Sequence, residues 1–236
     1  MASREQQNKS IESFILNKAQ NYVYTPADLT FFRKYDKCED SELNENVVFG
    51  KLWQETTSMP QAIEAENRFN GDVLVTHGGS GKALTSAPMG ASFHVMNHDY
   101  FCHEITRALT SGRQKENFVR YDFGSLAEYF YVGNTSGIPT YDLVITHPPA
   151  TCRYAELDHD EMMADLGESD ARTYYAVRSF AFVRQGGVLM VIVPRQEYLK
   201  THEKIVERLF HIEGATFDFD VPVDTGEEFI LKYTRV

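Results

Sequence analysis

Tyr141-Asp-Leu-Val-Ile-Thr-His-Pro-Pro-Ala150 decides how this chain is read. An apolar run of three behind an acidic residue, stopped by two prolines, has the form of a buried parallel strand. Proline lacks the donor that continues a sheet ladder and restricts the residue before it. His147 therefore falls at the carboxyl end of a strand, which is where open α/β sheets bind their ligands.

Working outward, further strand-like runs flank this one. Asp72 to Thr76 is short and β-branched and leads into His77-Gly-Gly-Ser-Gly-Lys82, a glycine-rich turn before a helical start. Strand, glycine turn and helix open many nucleotide-binding sheets, because glycine lets backbone amides approach a ligand. A P-loop is excluded, since Ala83 follows Gly81-Lys82 where that motif needs Ser or Thr. Ser92 to Met96 and Phe118 to Tyr121 predict two more strands, ending at Asn97-His98-Asp99 and at Asp122, with a helix over 100–109 between them. Gly187 to Pro194 predicts a fifth strand, preceded by a helix over 173–183. After a helix over 198–210, the runs 215–221 and 229–233 alternate as a hairpin does. The expected fold is α/β, with parallel strands, a terminal antiparallel hairpin and helices on both faces.

Residues 1–70 lack this strand character and read as a helical segment packed on an α/β domain over 71–236, the two forming one compact unit. Ile11, Phe14 and Ile15 have helical spacing behind Ser10, taken as a cap, and Thr25-Pro26 opens a second helix. The residues from Val47 to Phe69 suggest two helices broken at Met59-Pro60. A net charge of −11 disfavours a nucleic-acid surface. Three scattered cysteines, Cys38, Cys102 and Cys152, fit a reducing compartment, and no run is long and apolar enough for a membrane span. A cytoplasmic protein with a protein partner is expected.

Taken in order, Tyr24-Thr-Pro26, Leu74 to Gly81, Asn97-His-Asp99, Asp122, Asp142 to Ala150 and Gly186 to Pro194 resemble the class I S-adenosylmethionine-dependent methyltransferases. Among these, the chain is most similar to the N6-adenine DNA methyltransferases, whose catalytic tetrapeptide is Asn/Asp-Pro-Pro-Tyr/Phe. The resemblance runs from Tyr22 to Val236 and implies a Rossmann-like sheet with S-adenosylmethionine as cofactor. It implies cofactor contacts at Tyr24, Thr25, Pro26, Gly79, Gly81, Asn97 and Asp122, and a catalytic motif at His147, Pro148, Pro149 and Ala150.

The departures from that pattern carry chemistry. Val75 and Thr76 stand where the family has an acidic start to its glycine motif, and Asn97 stands where a carboxylate accepts both ribose hydroxyls. Losing a charged hydrogen bond costs about 1.5–3 kcal/mol. At the tetrapeptide, His147 replaces the residue whose oxygen, with a backbone carbonyl, accepts the two hydrogens of the target amine. Ala150 replaces the aromatic that stacks on the base, a contact worth roughly 1–3 kcal/mol. Neutral imidazole offers one acceptor nitrogen and imidazolium none. The expectation is a methyltransferase-fold pseudoenzyme acting as a binding or partner subunit. The alternative is an active S-adenosylmethionine enzyme with an atypical His-Pro-Pro-Ala motif, acting on DNA adenine, a protein or a small molecule; a non-catalytic nucleic-acid module ranks third.

Bland readings stand beside these. Thr25-Pro26 is explained as well by helix capping, and the acidic run 156–170 by a solvated face. His77, His98 and His147 would converge at neighbouring strand ends, yet no tight ligand spacing joins them and no metal is expected. Asp99 to Glu104 reads as an exposed helix start, and Arg172, Arg178, Arg184 and Arg195 as paired surface charges.

Overall fold

The computed structural model describes residues 3–36, 71–76, 78–81, 84–85, 92–97, 99–111, 119–123, 139–148, 171–211 and 215–236. His77, His98, Pro149, Ala150, the region 47–69 and the acidic run 156–170 lie outside the described residues, and of 119–123 only the backbone is described.

The strands are β1 (Asp72–Val75), β2 (Ser92–Asn97), β3 (Val119–Phe123), β4 (Tyr141–Thr146), β5 (Val183–Pro194), β6 (Phe217–Phe219), β7 (Val223–Asp224) and β8 (Glu228–Arg235). They form one sheet in the order β3-β2-β1-β4-β5-β8-β6, with β7 also paired to β8. The pairs from β3 through β5 are parallel. β8 runs antiparallel to β5, β6 and β7. The expected parallel sheet with an antiparallel end is what the chain builds.

Alternation along the strands explains the apolar runs, because both faces of the sheet are covered. Val73, Val75, Leu143, Ile145, Met190 and Ile192 pack on one face. Leu74, Val144, Leu189, Val191, Leu231 and Tyr233 pack on the other, under helices α4 (Ala171–Phe180) and α5 (Tyr198–Phe210), through Tyr174, Tyr175, Ile205 and Leu209. Val75 and Thr76 are fully buried, and the Thr76 amide donates to Ile145 O at 3.1 Å. A carboxylate at either place would lie in this core.

Helices α1 (Arg4–Asn17) and α2 (Pro26–Phe32) pack on α3 (Tyr100–Thr110), burying Ile11, Ile15, Phe32 and Tyr35 against Cys102, Ile105 and Ala108. The predicted Ser10 cap is corrected. Ser3 caps α1 instead, in a capping box with Gln6, and Ser10 is a helical residue whose hydroxyl donates to Gln6 O. A reciprocal side-chain bond at N3 outweighs the apolar spacing as a start signal. Glu104 is also corrected from exposed to buried, at 6% exposure. Lys18 reaches it at 2.8 Å from beyond α1 and Arg107 at 2.9 Å from the next turn. The helix over 173–183 begins and ends earlier, and β5 starts at Val183.

Candidate functional site

The carboxyl ends of β2, β1 and β4 lie side by side, so the glycine turn, Asn97 and His147 share one edge of the sheet. Gly79 and Gly81 take left-handed φ of 57° and 72°, conformations that side chains resist. At Gly81 packing also requires the glycine. A Cβ on Gly81 would meet Thr106 Oγ1 at 2.7 Å and Cγ2 at 2.8 Å. The Gly78 amide donates to Met96 O at 3.0 Å and the Gly81 amide to Gly78 O at 3.1 Å. Both donors are thus spent inside the protein.

Asn97 ends β2 at 3% exposure. Its Nδ2 donates to Thr106 Oγ1 at 3.1 Å, and that hydroxyl lies 3.0 Å from Gly79 O and 2.8 Å from Cys102 O. Thr106 thereby ties the glycine turn, β2 and α3 together. With Nδ2 so engaged, Oδ1 is the one acceptor this side chain could offer a ribose. Asp122 is in register with Met96 on the neighbouring strand. For a nucleoside cofactor, the residues fit in part: the turn and the strand ends are placed as such a site needs, with one neutral acceptor instead of a carboxylate.

His147 is 5% exposed at the end of β4. Its Nε2 stands 3.4 Å from Glu228 Oε1, at the start of β8. Burial pushes the imidazole down to about 4; Glu228 opposes this and Arg172 adds to it. The ring is therefore neutral near pH 7. Arg172 reaches from α4 so that NH1 donates to Pro148 O at 2.6 Å and Nε donates to Glu197 Oε2 at 2.9 Å. Its side chain is 11% exposed, and charge-assisted bonds of this kind are the strong ones. Just beyond, Arg195 holds the β7–β8 turn by donating to Gly226 O at 2.6 Å and pairing with Asp224. Phe229 stacks on Tyr198 with centroids 4.1 Å apart.

Tyr24, Thr25 and Pro26 sit with the N-terminal helices. Thr25 caps α2 in a capping box with Asp28, Pro26 opens that helix, and Tyr24 packs against Phe32 with Lys18 5.9 Å above its ring. Their hydrogen bonds and ring contacts are those of a helix start. Among the described residues, no group of three His, Cys, Asp or Glu side chains could hold a metal ion. None of the described helices is long and apolar enough to cross a membrane.

Sequence reasoning missed Glu228, Glu197 and Thr106, and read Arg172 only as a surface charge. Nothing near His147 or Pro148 in the chain signals them, because they arrive from α3, α4, β8 and the turn after β5.

No protein-family model and no curated protein sequence matches the chain. Solved structures do. A Listeria monocytogenes protein assigned to the class I S-adenosylmethionine-dependent methyltransferases aligns with a TM-score of 0.58 at 14% identity, covering 100% of this chain and 76% of that one. An O-methyltransferase from Bacillus cereus, solved with S-adenosylhomocysteine, aligns at 0.53 and 8% identity, covering 99% and 100%. The ribosomal protein L11 methylase of Lactobacillus delbrueckii subsp. bulgaricus aligns at 0.52 and 14% identity, covering 78% and 81%. Identities this low speak for architecture and leave substrate aside. Strand order, the antiparallel strand β8 inside the sheet and these alignments give the chain the Rossmann-like fold of class I methyltransferases.

Proposed function

We propose that this chain is a methyltransferase-fold protein that does not transfer a methyl group at its His147 strand end and works as a binding or partner subunit. One observation carries the reading. Of the acceptor pair that an N6-adenine-type reaction would use, the carbonyl Pro148 O is held by Arg172, and the side-chain oxygen is replaced by His147, whose Nε2 faces Glu228 at 3.4 Å. An incoming amine would have to displace a guanidinium, and it would meet a neutral ring with at most one acceptor in place of an amide or carboxylate oxygen. Asn97, with one side-chain acceptor, supports at most weak holding of S-adenosylmethionine; the missing charged bond corresponds to about a tenfold to hundredfold loss of affinity.

The test joins calorimetry with S-adenosylmethionine to a transfer assay using the radiolabelled cofactor and an adenine-containing oligonucleotide. Weak or absent binding and no transfer are expected. Transfer abolished by His147→Ala would overturn the proposal and favour the active-enzyme reading, with its atypical motif.

A further inference from the structure

Among the described residues, β6 ends the sheet with its outer edge unpaired, and the sequence there alternates as Thr216-Phe-Asp-Phe-Asp-Val221. The Asp220 amide donates to Lys232 O at 3.2 Å, and the Val236 amide donates to Thr216 O at 2.9 Å. Even-numbered residues thus turn their backbone groups toward β8. Backbone direction alternates along a strand, so the N–H and C=O groups of Phe217, Phe219 and Val221 face outward. Phe219 lies opposite Tyr233, on the face bordered by α5, where Phe217 meets Phe210 at 5.1 Å and Phe219 meets His202 at 5.2 Å. Phe210, Phe219 and Val221 are nevertheless 70%, 56% and 87% exposed. Pairing slips by one residue between Phe219 with Tyr233 and Val223 with Ile230, a bulge that closes this edge near Pro222.

We infer that the β6 edge accepts an extended segment of a partner protein, added as one more strand, whose side chains alternate between basic and apolar. Main-chain bonding to the odd-numbered residues supplies the pairing, and alternate side chains select the segment. Apolar side chains would continue the strip of Phe210, Phe217 and Phe219, while lysines or arginines would face Asp218 and Asp220, the latter 60% exposed and shared with Lys232 at 3.3 Å, since opposite charges across strands stabilise. A second copy of this chain is excluded as the occupant by the same rule. Two β6 strands side by side would set aspartates against aspartates, the device by which natural edges avoid pairing with themselves.

This names a surface for the partner-subunit reading and rests on it, but docking and methyl transfer are measured separately, so either can fail alone. The probe is a labelled peptide alternating lysine and valine, titrated by fluorescence anisotropy into the full chain, beside the same peptide with glutamate for lysine. Micromolar binding is expected for the lysine peptide, about tenfold or more weaker for the glutamate one. The preference should reverse in Asp218→Lys/Asp220→Lys. Val221→Pro removes an outward N–H and should weaken binding without lowering Tm. Hydrogen exchange should slow at Phe217 and Phe219 when the lysine peptide is bound. Equal binding of both peptides, unchanged exchange at those two amides, or a concentration-dependent dimer in sedimentation would overturn the inference.

Discussion

His147 is the residue around which the chemistry turns, and its protonation is tied to folding. Burial lowers its pKa to about 4 in the folded protein, against roughly 6.5 in an unfolded chain. The unfolded state then binds the extra proton first as pH falls, so stability from this group is full above about 6.5 and is lost as pH drops through about 4. Denaturant titrations should show the native chain losing on the order of 1–3 kcal/mol more than His147→Asn across that window. Arg172 makes a second test. Arg172→Ala leaves Pro148 O without its guanidinium and Glu197 without its ion pair, so Tm should fall by an amount matching about 1–3 kcal/mol. Arg172→Lys should recover only part of this, because an ammonium cannot serve both acceptors with a planar fork.

At the scale of elements, α3 joins two parts of the molecule. Its inner side carries Thr106 to the glycine turn, and its outer side receives α1 and α2 around Cys102, Ile105 and Ala108. Burial pushes the Glu104 carboxyl up, but Lys18 and Arg107 outweigh this and hold it below the usual range. Lys18→Ala removes the better buried of the two cations, and a loss of roughly 1–3 kcal/mol is expected by chemical denaturation. Arg107→Ala, whose side chain is 52% exposed, should cost less. These elements also show what the sequence makes legible. Strands β1, β2, β4 and β5 were readable because burial on both faces leaves continuous apolar runs, and α2 because Thr25-Pro26 is a local start signal. The pairing of Ser3 with Gln6 is local too, but the apolar spacing that begins at Ile11 points to Ser10. The Arg172 clasp on Pro148 and the Thr106 tie to Asn97 are tertiary facts. Each partner looks ordinary in its own segment, and only the crossing of strands and helices brings them together.

For the molecule as a whole, the strand order separates a left half, β3-β2-β1, from a right half, β4-β5-β8-β6, and the two meet at the β1–β4 pair. Among the described residues, most of the core beneath α4 and α5 comes from Tyr141 onward, whereas β1 must find β4 across a long intervening stretch of chain. Loop closure is the cost that long-range pairing meets before any contact rewards it. β8, threaded between β5 and β6, therefore has a kinetic meaning: it lets the right half assemble from near neighbours in the chain. Pulsed hydrogen exchange during refolding should find the amides of β5 and β8 protected ahead of those of β1 and β2, with the left half condensing afterwards onto the exposed edge of β4.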